Sequence, residues 1–233
     1  MPTLYLIPTP LGERDFTALF PVFNGKIINT IDAFVVENLR EARRFLKKAG
    51  YKKDFDEVDF QELNEHTKVV NFKDFLKPAV EGKDMGLLSD AGTPCVADPG
   101  SKIVAEAHQL GIKVVPLVGP SSIILSLMSS GLNGQNFAFN GYLPVEQDKR
   151  ERQLAFCESL TLKNGQTQIF IETPYRNNHL MESIMKVCQP STRVCVAVDV
   201  ATDTEEIRTQ TVAKWRKTTF NFHKRPAIFL IGR

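Results

Sequence analysis

The sequence has few of the residues from which metal sites and disulfide frameworks are built. It contains four cysteines and four histidines, with no C-x-x-C spacing and no H-x-x-x-H pair. Zinc sites and redox motifs depend on such close spacings. We therefore predict no metal site and no disulfide framework.

Long apolar runs are also missing. No run approaches the ~20 residues that a transmembrane helix needs. The first segment, MPTLYLIPTPLGERD, lacks the basic flank and the small-residue cleavage site of a signal peptide. These two absences predict a cytoplasmic protein with no membrane partner.

An excess of charge of one sign is the third absence. The formal net charge is only +2, which excludes a polycation that coats nucleic acid along its whole length. The charge is locally uneven, because residues 40–53 carry seven Lys and Arg and residues 54–62 carry five Asp and Glu. A solvated helix face followed by a polar loop is one interpretation, and a contact with nucleic acid is the other.

Two common nucleotide-binding motifs are not found. The turn after the first apolar run, IPTPLGERD, holds a single Gly where a dinucleotide-binding fold has G-x-G-x-x-G, and G-x-x-x-x-G-K-[ST] does not occur. Classical NAD binding and P-loop phosphate transfer are therefore disfavoured.

What the first half does contain is an alternation of short apolar runs with amphipathic stretches. The predicted strands and helices follow one another at residues 3–8, 33–37, 38–50, 85–90, 99–111 and 112–116. This alternation predicts an α/β domain with a mostly parallel sheet over residues 1–117. The segments NFAFNGYLP, RVCVAVDV and EEIRTQTV of the second half predict a mixed sheet with antiparallel parts, in a second α/β domain over residues 118–233.

The segment LLSDAGTPCVADPG concentrates turn residues and carboxylates after a buried strand. Asp98 precedes a Pro at the start of a periodic helix, so we expect its carboxylate to cap the amides of Gly100 and Ser101. Asp90 stands at the end of the strand, at the sheet edge where α/β proteins bind ligands. Its small neighbours Ser89, Ala91 and Gly92 allow a ligand to approach the backbone closely. A simple turn is the alternative.

A second loop of this kind, GPSS, follows the next predicted strand. Ser121 and Ser122 lie near a helix start and present hydroxyls and free amides to a polar or anionic group, although simple helix capping is the alternative. Together with the Pro-rich turn after the first strand, the loops suit a ligand with an apolar ring and a zwitterionic tail.

These segments carry a family resemblance that covers nearly the whole chain. In order and spacing, LLSDAGTPCVADPG, VVPLVGPSS, NGYLP and IETPYR resemble the tetrapyrrole methylase superfamily of S-adenosylmethionine-dependent methyltransferases. They are most similar to its small-subunit ribosomal RNA (cytidine-2′-O)-methyltransferase branch, whose opening segment and E-H-N patch resemble LYLIPTPLGERDFT and LNEHT. The ending RPAIFLIGR resembles the one seen across the superfamily.

The resemblance implies two α/β domains with S-adenosylmethionine in the cleft between them, and a homodimer. It implies that Pro10 lines the cofactor cleft at the end of the first strand. The contacts that it implies from the first domain and the domain junction are Ser89, Asp90, Ala91, Val96, Ser121 and Ser122. The contacts that it implies from the second domain are Glu172, Ala201, Pro226 and Ala227, with the last two beside the adenine.

The sequence departs from the ribosomal branch on the substrate side. The usual G-N-L reads Gly12-Glu13-Arg14. The usual E-D-T-R-x-T-R reads ENLREAR, which keeps Glu37, Arg40 and Arg43 but has Asn38 and Leu39 in place of the Asp and Thr. The resemblance therefore supports methyl transfer more strongly than it supports a ribosomal substrate.

Three hypotheses of function follow. The first is a methyltransferase that uses S-adenosylmethionine to modify ribosomal RNA at a ribose 2′-hydroxyl, with Glu37 as the base and with Arg40 and Arg43 binding phosphates. For Glu37 a helix-start carboxylate is the alternative. The second is a methyltransferase that acts on a tetrapyrrole or another small molecule. The third is a non-catalytic RNA- or cofactor-binding module.

Overall fold

The computed structural model describes residues 2–64, Thr67 and residues 71–233. His66, part of the LNEHT segment singled out above, lies outside the described residues. The chain forms two compact units, Met1–Ser121 and Ser122–Arg233. The predicted domain boundary after residue 117 stays a prediction.

The first unit is built on a five-stranded parallel sheet. Its strands are β1 (Thr3–Ile7), β2 (Ala33–Val36), β3 (Asp59–Glu62), β4 (Met85–Leu88) and β5 (Lys113–Pro116). They lie in the order β3-β2-β4-β1-β5, and all four pairings are parallel. Strands β2 and β4 are buried along their whole length, as expected where helices cover both faces of a sheet. The predicted α/β fold class is confirmed.

Helices pack on both faces of this sheet. They are α1 (Phe16–Leu19), α2 (Val22–Ile28), α3 (Leu39–Lys48), α4 (Lys77–Val80) and α5 (Ser101–Gln109), with 3₁₀ turns at Phe55–Glu57 and Phe72–Leu76. One apolar cluster joins Leu4 to Ile103 of α5, and another joins Ile7 to Leu46 of α3.

Helix α3 begins at the carboxyl edge of the sheet because two side chains cap it. Asn38 Oδ1 accepts hydrogen bonds from the amides of Arg40 and Glu41, at 3.0 and 3.2 Å. Glu62, at the end of β3, accepts the Leu39 amide at 2.9 Å. These bonds satisfy amides that have no partner within the helix. The Asn38 cap is therefore kept although the segment departs from the ribosomal branch.

The second unit contains a mixed sheet, as predicted. Its elements are α6 (Ser122–Ser130), β6 (Phe137–Tyr142), α7 (Gln147–Asn164), β7 (Thr167–Ile171), α8 (Asn177–Val187), β8 (Arg193–Val198), β9 (Glu206–Thr211), α9 (Val212–Trp215) and β10 (Ala227–Gly232). The strand order is β6-β7-β10-β8-β9. The pair β6–β7 is parallel, and the other three pairs are antiparallel.

All four cysteines are free thiols. Cys157, Cys188 and Cys195 are buried in the second unit, and Cys95 is half-buried in the first. Burial raises the pKa of Cys95 to about 11 and that of Cys188 to about 12. These thiols are therefore protonated at neutral pH.

One prediction of local structure is wrong. The acidic stretch at 54–62 was expected as a polar loop, but Asp59–Glu62 forms the edge strand β3 beside β2. Strand pairing of this kind uses backbone groups and leaves the charged side chains in solvent, so no apolar run marks it. Among the helices of the described ranges, none is long and apolar enough to cross a bilayer.

Candidate functional site

The parallel sheet of the first unit brings several predicted site residues to one edge. The carboxyl ends of parallel strands lie on the same side, and ligands of open α/β sheets bind there. Pro10 follows β1, Glu37 follows β2, and Ser89, Asp90 and Ala91 follow β4. We call this side of the sheet the first-unit edge.

A two-way backbone bridge holds the turn that contains Asp90. The Thr9 amide donates to the Gly92 carbonyl at 2.9 Å, and the Gly92 amide donates to the Thr9 carbonyl at 3.0 Å. The buried Ser89 hydroxyl donates to the Gly92 carbonyl at 2.7 Å, and the Thr9 hydroxyl donates to the Ser89 carbonyl at 3.1 Å. The Ser89 side chain is thus committed to the turn, while Asp90 and Ala91 are exposed on it.

The loop after β5 packs tightly against the end of β1. A Cβ built on Gly119 would lie 2.4 Å from the Cβ of Pro8, so only glycine permits this approach. The Val118 carbonyl accepts a 2.8 Å hydrogen bond from the Asn24 amide group. Ser121, half-buried, continues this loop, and Ser122 begins α6. The Pro-rich turn after β1 and the GPSS loop after β5 are therefore in contact.

Asp90 is held in an unfavourable setting for a carboxylate. The residue is exposed as a whole, but partial burial of its carboxylate raises its pKa, and the negative charge of Glu41 raises it further. Asp98 and Glu62 add smaller effects of the same sign. A hydrogen bond from the Asn38 backbone partly opposes the shift. The exposed Asp90 carboxylate is accessible to a donor group of a bound ligand.

The loop between Asp90 and α5 is strained on both sides of Val96. Cys95 and Ala97 have φ of 69° and 57°, a region that costs a non-glycine residue about 1 kcal/mol or more. The Asp98 carboxylate accepts the Cys95 amide at 3.2 Å and the Gly100 amide at 3.0 Å. The predicted bond to Gly100 is confirmed, the predicted bond to Ser101 stays a prediction, and Cys95 is a further donor. Val96 itself is 46% exposed.

Glu37 lies between the end of strand β2 and the start of helix α3. It is half-buried and directly precedes Asn38, the residue that caps the helix. With Asp98 and Pro99 it lines a small recess at the first-unit edge. The recess thus brings the candidate base Glu37 together with Asp98, the residue predicted to cap the next helix. The catalytic role of Glu37 stays a prediction.

The two arginines predicted to bind substrate have different surroundings. Arg40 is exposed in the first turn of α3. The Arg43 guanidinium lies over the rings of Phe55 and Phe60, 5.8 and 5.4 Å from their centroids, and its Nε is buried without a hydrogen-bond partner. Arg43 therefore packs the 3₁₀ turn against α3. Its role toward substrate stays a prediction.

The predicted site residues of the second unit also lie at one edge. In the antiparallel pairs of β10, Ala227 is opposite Val198 and Ile228 is opposite Ile171. Glu172 follows Ile171 directly in the chain. The start of β10 therefore meets the ends of β7 and β8, which carry Glu172 and the loop with Ala201. We call this side of the sheet the second-unit edge.

Glu172 forms a nearly buried ion pair. Its Oε1 accepts hydrogen bonds from the Thr173 amide at 2.6 Å and from Arg176 Nε and Nη2 at 2.9 and 2.5 Å. The side chain of Glu172 is 2% exposed, against 30% for Arg176. Sequence reasoning missed Arg176, because residues 172–176 form a turn before α8 and the four-residue spacing of ion pairs applies within helices.

The loop after β8 is held in a strained conformation. Asp199 and Ala201 have φ of 49° and 61°. The Asp199 amide donates to the Pro226 carbonyl at 2.9 Å, and the Ala201 amide donates to Glu205 Oε2 at 2.7 Å. Arg225 Nε adds a 2.8 Å bond to Asp199 Oδ2. These contacts join two segments that were predicted to contact the cofactor.

S-adenosylmethionine combines an adenine, ribose hydroxyls and an amino-acid tail, and each edge, taken by itself, carries groups that suit one part of it. Asp90 offers an exposed carboxylate to hydroxyl or ammonium donors, and Ala91 next to it adds little bulk. Ala201 and Ala227 are small and apolar, as a ring contact requires. Across the described ranges, no group of three or more His, Cys, Asp or Glu is arranged to hold a metal ion.

The comparisons with known proteins agree with this chemistry. The family model described as tetrapyrrole (corrin/porphyrin) methylases matches residues 3–215. Ribosomal RNA small subunit methyltransferase I of Vibrio cholerae is 32% identical over 216 residues, which are 91% of this chain and 70% of that protein. The protein of the same name from Escherichia coli O157:H7 is 29% identical over 234 residues, 98% of this chain and 77% of that one.

The fold has a solved counterpart. The crystal structure of the methyltransferase CobJ matches with a TM-score of 0.64 over 99% of this chain and 93% of that chain. At 16% sequence identity, this likeness concerns the fold alone. The fold and the sequence matches together define an α/β methyltransferase of two units. The chain belongs to the tetrapyrrole methylase family of S-adenosylmethionine-dependent methyltransferases.

Proposed function

We propose that this protein methylates small-subunit ribosomal RNA at a ribose 2′-hydroxyl. The observation that carries the proposal is the first-unit edge, where the carboxylate of Glu37 adjoins the start of the basic helix α3. A carboxylate beside arginines suits an acceptor that is both a hydroxyl to be deprotonated and a phosphate ester to be held. The relatives named ribosomal RNA small subunit methyltransferase I support the same acceptor.

We further propose the cofactor contacts that the resemblance implies. In the first unit they are Pro10, Ser89, Asp90, Ala91, Val96 and Ser121, and in the second unit they are Ser122, Glu172, Ala201, Pro226 and Ala227. S-adenosylmethionine, when bound, supplies a methyl group activated by a positively charged sulfur. Ser89 and Glu172 contribute by shaping their loops, because their side chains are engaged within the protein.

The chain's own contribution to the reaction is orientation and proton removal. Positioning two reactants in a site that excludes water supplies much of the rate of a transfer reaction. The Glu37 carboxylate accepts the proton of the attacking hydroxyl. Arg40, exposed in the first turn of α3, binds a neighbouring phosphate, and Arg43 holds the adjoining loop and faces the same substrate.

A tetrapyrrole or another small molecule is the second candidate acceptor. The description of the matching family, tetrapyrrole (corrin/porphyrin) methylases, favours it. The basic surface of α3 does not decide between the two acceptors, because porphyrin precursors carry carboxylates and are anionic as well. Ribosomal RNA is preferred because the relatives at 32% and 29% identity are named ribosomal RNA small subunit methyltransferase I.

One assay distinguishes the two acceptors. The protein is incubated with methyl-labelled S-adenosylmethionine and either small ribosomal subunits that lack methylation or a porphyrin precursor. We expect label in the RNA, in ribose after digestion to nucleosides. Label in the porphyrin alone would reverse the assignment. Calorimetry with S-adenosylmethionine is run alongside, since a chain that binds no cofactor is the non-catalytic module.

We also propose that the protein is a cytoplasmic homodimer that acts without a membrane partner. The resemblance to homodimeric methyltransferases supports the dimer, and a ribosomal substrate supports the compartment. Sedimentation equilibrium is expected to give twice the mass of the chain, and cell fractionation to recover the protein with the cytoplasm. A single-chain mass at micromolar concentration would contradict the dimer.

A further inference from the structure

A groove of about 590 Å³ lies in the first unit, at the end of α3 that is far from the first-unit edge. Helices α1 and α2 form one wall, and the end of α3 with residues 50 and 52 forms the other. The side chains that matter here are Phe16, Phe20, Val22, Lys26, Lys48 and Lys52. We call it the α2–α3 groove. Its volume is typical of sites that bind small ligands or single groups of a larger one.

The floor of the α2–α3 groove is apolar and partly aromatic. The Phe16 ring packs on Phe20 at 4.9 Å, and Phe20 packs on Phe45 at 5.4 Å, so the floor is anchored in the core. Val22 is 80% exposed beside these rings. Such a surface gains free energy when a planar apolar group covers it.

The rim of the same groove is cationic. Lys26, Lys48 and Lys52 line it, and Lys48 Nζ lies 5.6 Å from the centroid of the Phe16 ring. Asp32 is paired with Lys53. Glu41 lies in the first turn of α3, at the other end of the helix, and is paired with Arg44. In the part of the chain that the structure describes, none of the three rim lysines is in an ion pair.

Asn29 fixes the shape of this rim. Its side chain donates to the Gly50 carbonyl at 3.1 Å and accepts the Lys52 amide at 2.9 Å. These bonds hold the segment of Lys52 against the end of α2. A rim fixed before binding loses less entropy when a ligand is bound.

A row of basic residues joins the groove to the first-unit edge. At 3.6 residues per turn, Arg40, Arg44 and Lys47 fall within about 60° of one another on α3. The opposite face of α3 is buried through Ala42, Phe45 and Leu46. The basic row spans eight of the ten residues of the helix, about 11 Å, and runs from the candidate catalytic edge toward the groove.

We propose that the α2–α3 groove binds an unpaired nucleotide of the RNA substrate. The base covers Phe16 and Val22, the rim lysines contact its phosphates, and the neighbouring strand follows the basic row of α3 toward the first-unit edge. Basic grooves with aromatic platforms bind single-stranded nucleic acid in this way. The proposal rests on the proposed function, because it takes RNA as the substrate.

The first experiment measures the salt dependence of RNA binding. Fluorescence anisotropy of a labelled single-stranded RNA is recorded with the full chain and with the variant K26Q/K48Q/K52Q. Each lost phosphate contact lowers the slope of log K against log salt by about 0.7, so three contacts lower it by about 2. The control K83Q/K113Q/K163Q removes three exposed lysines elsewhere and is expected to leave the slope nearly unchanged. An equal effect of the two variants would overturn the proposal.

The second experiment tests the floor without disturbing the core. Val22→Glu introduces a carboxylate at an 80% exposed position of the groove, and Val80→Glu does so at a 66% exposed position on α4. We expect Val22→Glu to weaken RNA binding about tenfold through repulsion of phosphate, and Val80→Glu to leave it unchanged. Thermal unfolding of both variants checks the fold. Unchanged RNA affinity in a folded Val22→Glu variant would contradict the proposal.

The outcomes separate this inference from the proposed function. If the wild-type protein methylates ribosomal RNA but the groove variants bind RNA normally, the inference fails and the function stands. If the wild-type protein neither binds nor methylates RNA, the proposed function fails. A lysine variant that loses binding only to phosphatidylserine-containing vesicles would assign the groove to a lipid surface and overturn the RNA site.

Discussion

Thr9 and Gly92 exchange two backbone hydrogen bonds, of 2.9 and 3.0 Å, across the first-unit edge. They are the points at which the loops after β1 and β4 are joined, although they are far apart in the sequence. Asp90, Ala91 and Ser89 are presented from within the joined turn. The position of the proposed cofactor contacts therefore depends on this bridge.

Gly92→Ala is expected to damage both stability and cofactor binding. Gly92 has φ of +78°, and a Cβ there would lie 3.0 Å from Leu11, so the fold loses about 1–2 kcal/mol. The control is Gly82→Ala, since Gly82 has φ of +93° with nothing within 4 Å of its Cβ. Urea unfolding should show both losses, whereas calorimetry should show weaker S-adenosylmethionine binding for Gly92→Ala alone. Equal cofactor affinity in the two variants would contradict the assignment.

Asp90→Asn is expected to stabilise the fold while weakening cofactor binding about tenfold or more, the effect of losing a hydrogen bond to a charged group. Because the pKa of Asp90 is raised in the folded protein, ionisation of this carboxylate opposes folding. The matched control is Asp59→Asn, an exposed carboxylate on β3. Denaturation and calorimetry of both variants at pH 7 give the comparison. A loss of stability in Asp90→Asn would show that the carboxylate supports the fold.

The same shift makes a prediction about pH. The stabilising effect of Asp90→Asn is present above the raised pKa of the folded protein. It vanishes below the ordinary value of 3.8, where the wild-type group is protonated in both states. Cofactor affinity of the wild type should rise with pH through this window, as the carboxylate forms. A stability difference that persists at low pH would point to packing and not to charge.

Glu37→Gln is expected to lower the methyl-transfer rate by about 10²–10⁴-fold, the usual contribution of a general base. Its affinity for S-adenosylmethionine and its melting temperature should change little. The matched control, Glu57→Gln, changes an exposed glutamate of the first unit. Single-turnover rates measured across pH give the sharpest readout, because a base leaves an acidic limb in the wild-type profile that the variant lacks. A parallel loss of cofactor affinity would instead assign Glu37 to binding.

The ion pair of Glu172 and Arg176 is expected to stabilise the second unit. Removing either partner leaves the other buried or half-buried without its contact, at a cost of about 1–3 kcal/mol. A double-mutant cycle with Glu172→Gln and Arg176→Ala in urea unfolding measures the coupling. Glu182→Gln, on the exposed face of α8, serves as the control. A coupling energy near zero would show that Glu172 is held by other contacts.

Much of the framework was predictable because most strands of the first sheet are short apolar runs, of which β2 and β4 are buried along their whole length. The strands β1, β2, β4 and β5 and the helix α3 with its Asn38 cap all left such local signals. No helix was predicted between residues 13 and 32, where α1 and α2 are short and are separated by Pro21. Strand β3 was missed because its four residues, DFQE, contain no apolar run.

The sequence was sufficient to predict which loops form the candidate site, but not how these loops contact one another. The turn residues of SDAG mark the ligand edge, whereas the bridge from Thr9 to Gly92 depends on strand order, which no local pattern encodes. The positive φ of Asp199 and Ala201 could not be read from an aspartate and an alanine, because only the surrounding contacts impose it. Alanine at such a position is detectable only in the structure.

The positions of the four thiols allow the opening of each unit to be measured from the rate at which its cysteines are alkylated. Three of the four are buried in the second unit, and Cys95 stands in the strained loop of the first. Because a protonated, buried thiol reacts only when it is uncovered, the pace of alkylation at Cys157, Cys188 and Cys195 reports how often the second unit opens. Labelling of Cys95 reports separately on the loop of the first unit. Peptide mapping of one sample therefore gives the opening rate of the second unit and that of this loop.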